Sequence, residues 1–196
     1  MKRIGIYSGT FDPVHAGHVS FALQALAAAK LDAVYFLPER RPRSKRGVEH
    51  FAHRVAMLKR AVVLHRHLHV LELEDTNFSV ATTLPRLRKR FAKAELVFLV
   101  GSDVAPFIPQ WPNSEQLLKQ CELVVGVRAA DSQVLVQESM QRWAVQPVAL
   151  TVIESYAAQI SSRKIREALQ RREYIPGLLR SVERYSNRNW LYVSLV

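Results

Sequence analysis

Short apolar runs alternate with longer stretches of helical periodicity along this chain of 196 residues. The opening segment MKRIGIYS alternates and then turns apolar at Ile4, Ile6 and Tyr7, as a short buried strand does. Comparable runs stand at Ala33–Leu37, Leu68–Leu73, Glu95–Val100, Glu122–Val127 and Val148–Ile153. Between them Val19–Lys30, rich in Ala and Leu, reads as a helix, as do Glu49–Leu64, Ser79–Phe91, Ser114–Lys119 and Asp131–Trp143. From Ser161 onward the chain reads as two helices, broken at Ile175-Pro176-Gly177.

Strands separated by helices predict an α/β fold, a Rossmann-like, doubly wound and mainly parallel sheet with helices on both faces. Right-handed crossovers then put every strand-to-helix loop on one edge, the edge where open sheets bind ligands. No linker rich in Gly, Ser and Pro divides the sequence. A single domain over residues 1–196 is therefore expected, with a helical C-terminal part from about residue 161.

Composition changes this picture little, and charge changes it more. A hydrophobic content of 48% supports a good core, and one cysteine, Cys121 beside the run Leu123-Val124-Val125, excludes an internal disulfide framework. No run approaches the ~20 apolar residues of a membrane span, so a cytoplasmic protein without membrane partners is expected. Lys and Arg number 28 against 17 Asp and Glu, a formal net charge of +11. That excess favours polyanionic partners: nucleic acid, membrane phosphate or a small substrate carrying several phosphates. Basic residues cluster at Arg40, Arg41, Arg43, Lys45 and Arg46, and again at Arg86, Arg88, Lys89, Arg90 and Lys93. His65, His67 and His69 alternate as if to share one face of a strand, but fall at a helix-to-strand junction on the opposite edge. Trp143, Trp190 and the tyrosines near the end read as packing.

The candidate chemistry sits in the first strand-to-helix link, SGTFDPVHAGH (residues 8–18). Gly9 admits close approach of backbone to a ligand, Thr10 offers a hydroxyl and an N–H, and Asp12-Pro13 makes a turn. His15 and His18 lie three apart and share a face of a helical start, where two imidazoles suit either a metal or, when protonated, the negative charge of a phosphate. Far along the chain, Ser161 and Ser162 stand where another helix begins, a hydroxyl-capped anion site. Arg166 follows one turn on and brings a planar fork to the same anion.

The first segment resembles the G-[GS]-T-F-D-P-x-H-x-G-H signature of the nucleotidyltransferase superfamily, and ISSRKIR (160–166) resembles its I-S-S-T-x-I-R motif. PERRPRSK (38–45) is similar to a P-x-x-x-P-P-H-K loop, Arg54–Leu58 to an R-x-x-M-L helix, and Gly101-Ser102-Asp103 with Trp111 to a G-x-D…W segment. The stretch Leu178–Tyr192 resembles a bacterial V-x-x-Y-I-x-x-x-x-L-Y ending. These matches span nearly the full length and point to the bacterial nicotinate-nucleotide adenylyltransferases.

The resemblance implies that a mononucleotide 5′-phosphate attacks the α-phosphate of ATP in line and displaces pyrophosphate. It implies His15, His18 and Arg166 as catalytic residues. It implies ATP contacts from Ser8, Gly9, Thr10, Phe11, Lys45, Gly101, Asp103, Ser161 and Ser162 as well. The acceptor would meet Val80, Thr83, Trp111 and Arg128, with Trp111 stacked on the pyridine ring. Mg²⁺ would arrive with ATP, bridging the triphosphate rather than occupying an all-protein cage.

The sequence departs from the pattern in places. Ser8 replaces the first of two glycines, Arg43-Ser44 stands for Pro-His, Arg163 for Thr, and Phe78-Ser79-Val80 for Ser-Tyr-Thr. Pro112 follows Trp111 where family members have a residue whose N–H helps hold the nicotinate carboxylate, and proline has none to give. Arg128 and the Arg40–Arg43 cluster still favour an anionic acceptor. Two alternatives stand beside this expectation. One is a sister enzyme acting on nicotinamide mononucleotide or another phosphate acceptor, although the pantetheine-phosphate branch more often has Thr where His15 stands. The other is a basic nucleic-acid-binding module on the same fold; nucleic acid is not an obligatory partner of the enzyme reading.

Overall fold

The computed structural model describes residues 1–43, 45, 47–127, 132–155 and 159–193. Six strands, β1 (Lys2–Gly9), β2 (Ala33–Pro38), β3 (Leu68–Val70), β4 (Ala94–Gly101), β5 (Glu122–Val127) and β6 (Leu150–Glu154), form one sheet. Its order is β3-β2-β1-β4-β5-β6 and every pair is parallel. The sheet is thus fully, not mainly, parallel. Chain order reverses between β1 and β4, which are direct neighbours with Ile4 beside Leu96 and Ile6 beside Phe98. A doubly wound sheet binds ligands at the carboxyl ends of the strands at such a reversal.

Period-two alternation sends successive strand residues into two cores. From β2 and β4, Val34, Phe36, Val97 and Leu99 face one side, where α1 (Ala16–Ala28), α2 (Phe51–Val62) and α7 (Arg180–Arg188) cover them. Ile4, Ile6, Leu96 and Phe98 face the other, beneath α3 (Thr83–Arg90), α4 (Ser114–Leu118), α5 (Gln133–Gln141) and the 3-10 helix Ala105–Gln110. The remaining helix, α6 (Ser162–Arg171), follows β6. Burial of both strand faces explains why the runs read as nearly continuous apolar segments.

Boundaries differ from the sequence expectation where local chemistry intervenes. The expected strand Leu68–Leu73 stops at Val70, an edge strand with only β2 to pair with. The expected helix from Ser79 begins at Thr83, because Thr83 Oγ1 accepts the Ser79 N–H at 3.1 Å and holds residues 79–82 in a turn. Of the expected helix Asp131–Trp143, Gln133–Gln141 is helical, while Asp131 lies outside the described residues. Trp190 is not packing, being 74% exposed. Among the described residues, no helix is long and apolar enough to cross a membrane.

Candidate active site

Both strands at the reversal end in glycine: β1 at Gly9, β4 at Gly101. A Cβ on Gly101 would overlap Asp103 Oδ1, and one on Gly9 would stand 3.0 Å from the Phe11 ring. The two glycines therefore let the loops beyond them fold back closely over the strand ends. Between those loops opens a cleft of about 720 Å³.

One wall is the loop from Ser8 to His18. His15 caps α1 and is 6% exposed. The two histidines cap each other: the His15 N–H donates to His18 Nδ1 at 3.2 Å, and the His15 side chain faces the His18 N–H in return. Their rings lie 3.7 Å apart. Because His18 Nδ1 accepts, the neutral ring carries its proton on Nε2, a donor on a ring that lines the cleft. Phe11, at positive φ, packs its ring edge-on against His18 with centroids 5.1 Å apart and fixes the imidazole plane.

The start of α6 meets the same loop from the other side. Ser161 caps the helix, its Oγ accepting the Lys164 N–H at 3.3 Å, and Ser162 Oγ donates to the Pro13 carbonyl at 2.9 Å. Arg166 Nη1 donates to the Asp12 carbonyl at 2.5 Å and lies 3.8 Å from its carboxylate. Asp12, 3% exposed, also accepts the Tyr192 hydroxyl at 2.7 Å. The distant sequence signals are thus joined through Asp12-Pro13, which places two helix N-termini at one mouth of the cleft, favourable ground for an anion. Lys45 Nζ donates to Thr10 Oγ1 at 2.9 Å and adds a cation there.

The remaining wall comes from beyond β4 and β3. Asp103 stands at the lip, and Trp111 ends the 3-10 helix beside Phe78, with ring centroids 5.9 Å apart. Val80 and Pro112 complete an apolar recess. One loop can thus hold phosphates while a flat ring enters between aromatic walls.

A family model described as cytidylyltransferase-like matches residues 6–168. The nicotinate-nucleotide adenylyltransferase of Bacillus subtilis (strain 168) is 30% identical over 200 residues, covering 99% of this chain and 100% of that protein. The chain belongs to the nicotinate-nucleotide adenylyltransferase family. Two solved structures of the Plasmodium falciparum nicotinic acid mononucleotide adenylyltransferase share the fold at 18% identity and 98% coverage of both chains. They are complexed with NaAD and with APC, at TM-scores of 0.80 and 0.78.

The cleft brings together nearly all the residues singled out in the sequence. Ser8, Gly9, Thr10, Phe11, His15, His18, Lys45, Val80, Gly101, Asp103, Trp111, Ser161, Ser162 and Arg166 all line it. Thr83 does not: it is 1% exposed, and its hydroxyl shapes the turn that presents Val80. Arg128 lies outside the described residues. Of the first basic cluster Arg43 and Lys45 reach the cleft, whereas Arg40 lies over the Phe51 ring and donates to the Leu73 carbonyl. His65, His67 and His69 form no cluster. His67 bonds the Asp32 carbonyl at 3.0 Å and His69 stacks beside Tyr35. Among the described residues, no group of three His, Cys, Asp or Glu is arranged to hold a metal.

Sequence reasoning missed two supports. Arg54, 1% exposed, donates to the carbonyls of Thr10, Glu39, Arg40 and Glu49 at 2.7 to 3.1 Å, tying the loop after β1 to the loop after β2. Burial lowers its pKa, with Asp12 and Glu39 as compensating charges. Tyr192, the other, is held protonated by burial and by the neighbouring Asp12 carboxylate. For the first, an arginine inside the helical pattern of α2, heading the stretch similar to an R-x-x-M-L helix, was the available signal, but not its role as a tie between loops.

Proposed function

We propose that this protein transfers the adenylyl group of ATP to nicotinate mononucleotide, giving nicotinate adenine dinucleotide and pyrophosphate. The observation that carries this reading is the convergence of His15, His18 and the start of α6 on the Asp12-Pro13 loop, at the strand reversal, in a chain of this family.

An oxygen of the acceptor's 5′-phosphate attacks the α-phosphorus of ATP. As that bond forms, the bond to the bridging oxygen breaks and pyrophosphate leaves with the electron pair. The attacking phosphate is already an anionic nucleophile, so the chain's task is to position and to neutralise. In this reading His18 donates Nε2–H to the α-phosphate, most strongly as charge builds in the transition state. His15 orients His18 and lies against the same phosphates. Backbone groups from Ser8 to Phe11 hold the nucleotide. Lys45, Ser161, Ser162 and Arg166 take the β- and γ-phosphates, while Gly101 and Asp103 lie along the adenosine side.

Mg²⁺ fits as a passenger of the triphosphate. One carboxylate, Asp103, stands at the cleft lip, and a hard cation of this kind is normally held by one or two carboxylates plus phosphate oxygens. When bound it would supply charge neutralisation across the phosphates.

Trp111 and Phe78 offer the pyridine ring its walls, and Val80 closes the recess. Pro112 favours a second reading in which nicotinamide mononucleotide is also used, because the position after Trp111 has no N–H for a carboxylate. A pyrophosphate-release assay with ATP or CTP across nicotinate mononucleotide, nicotinamide mononucleotide and pantetheine phosphate tests the proposal. ATP with nicotinate mononucleotide is expected to give the highest kcat/KM, the amide following by a narrower margin than in family members with an N–H after the tryptophan. An equal or inverted ratio refutes the acid assignment. Salt-sensitive binding of RNA or DNA without any turnover would refute the enzyme reading.

A further inference from the structure

The cations that line the cleft divide by their anchors. Lys45 is held on Thr10, Arg166 on Asp12, and Arg163 on Glu167 at 3.1 Å, all on the phosphate side. Arg43 alone among the described lining cations is anchored on the loop after β3. Its Nη2 donates to Asn77 Oδ1 at 2.9 Å and to the Phe78 carbonyl at 3.3 Å. Phe78 is the residue whose ring faces Trp111. The guanidinium is therefore held on the loop that carries one wall of the aromatic recess, whereas the other three cations are held on the phosphate loop and α6.

A guanidinium has five N–H groups in a planar fork. Both anchoring bonds leave from Nη2, which keeps Nε–H and the Nη1 pair for a further acceptor. Glu39, a carboxylate that also lines the cleft, touches the same loop. Its Oε1 accepts the Phe78 N–H at 3.2 Å, so its charge is directed at the same loop rather than paired with Arg43. Pro112, next to Trp111 in the lining, contributes no N–H. An aromatic slot with an anchored cation at its rim suits a flat ring that carries an anion, the Arg43 charge standing in for the N–H that Pro112 lacks.

We propose that Arg43 is the specificity-determining residue for the acid acceptor, its fork taking the ring carboxylate of nicotinate mononucleotide. This rests on the acceptor reading above and assigns the charge recognition that the main chain at Pro112 does not supply. A neutral carboxamide offers the fork one neutral oxygen in place of a bidentate anion, so Arg43 favours the acid selectively.

The test measures kcat/KM with ATP for nicotinate and nicotinamide mononucleotides in the wild type and in Arg43→Ala, Arg43→Gln and Arg43→Lys. The side chain is exposed, so thermal melts of the variants should match the wild type. The acid-to-amide ratio is expected to fall by about tenfold or more in Arg43→Ala and Arg43→Gln, chiefly through KM for the acid. Arg43→Lys should regain part of the ratio, because it restores the charge without the fork. A fall of less than about tenfold in Arg43→Ala, in an enzyme whose wild type prefers the acid, overturns the assignment. A wild type that does not prefer the acid overturns the acceptor reading, and the role of Arg43 with it.

Discussion

A neutral imidazole whose Nδ1 is occupied by a backbone N–H has one tautomer, and His18 is held in that state by the residue that begins its own helix. Its Nε2–H is then an oriented donor. Donors of this kind contribute most where charge develops, because the site is oriented before the reaction begins. In the proposed mechanism, His18→Ala is expected to lower kcat by about two to three orders of magnitude with little change in ATP affinity. Stopped initial-rate assays at saturating ATP check this, and a near wild-type rate would remove His18 from the chemistry. Arg166 sits differently. It is anchored on the Asp12 carbonyl at the mouth of the cleft where the triphosphate is proposed to bind, so Arg166→Ala is expected to raise the KM for ATP several-fold with a smaller effect on kcat. Unchanged ATP kinetics would leave Arg166 with a purely structural role. Both histidines and this arginine were legible in the sequence because three-residue spacing and a Ser-capped helix start are local signals. Arg43 was legible as a charge but not as part of a recess, since its anchors lie 34 and 35 residues away.

At the scale of elements, the segment around α7 acts as a strap. Helix α7 packs on α2, Ala16 donates its N–H to the Gly177 carbonyl, and Tyr192 reaches the Asp12 carboxylate behind the phosphate loop. Gly177 has φ 89°, and a Cβ there would overlap Ile160, so the turn between α6 and α7 accepts no other residue without rearrangement. Tyr192→Phe removes a buried hydrogen bond to a carboxylate and is expected to cost about 1.5–3 kcal/mol in denaturant melts at neutral pH. Burial and Asp12 raise the Tyr192 pKa in the folded state. The stabilisation is therefore complete below the ordinary tyrosine value near 10 and declines as pH rises beyond it. The wild type should lose stability above about pH 10 faster than Tyr192→Phe, and parallel pH profiles would contradict that coupling. The strands and helices themselves were plain from periodicity, but their ends were not. The edge position of β3 and the Thr83 side chain, both tertiary facts, decide where two of them stop.

For the molecule as a whole, the strand order puts the first and fourth strand ends side by side and so brings residues 8–18 and 101–112 to one cleft. The alternation of strands and helices predicted the sheet, and right-handed crossovers predicted the common edge. Neither revealed that Arg54 would bind four carbonyls from the heart of that edge, because a buried cation contradicts the pattern that a sequence reading relies on. The charge excess is partly structural as well. In the second basic cluster Arg86 pairs with Asp75 at 3.4 Å, and Arg88 donates to the Gln120 carbonyl and to Cys121 Sγ. Burial pushes the Cys121 thiol up to about 11, leaving it protonated at neutral pH. What unites the reading is direct transfer: the cleft orients two phosphates and neutralises charge, and no side chain carries the adenylyl group. ATP made chiral at the α-phosphorus with sulfur and oxygen isotopes tests that claim most directly, through the configuration of the dinucleotide formed with nicotinate mononucleotide. Direct in-line attack predicts inversion at phosphorus, whereas retention would require a covalent adenylyl-enzyme and would contradict the account.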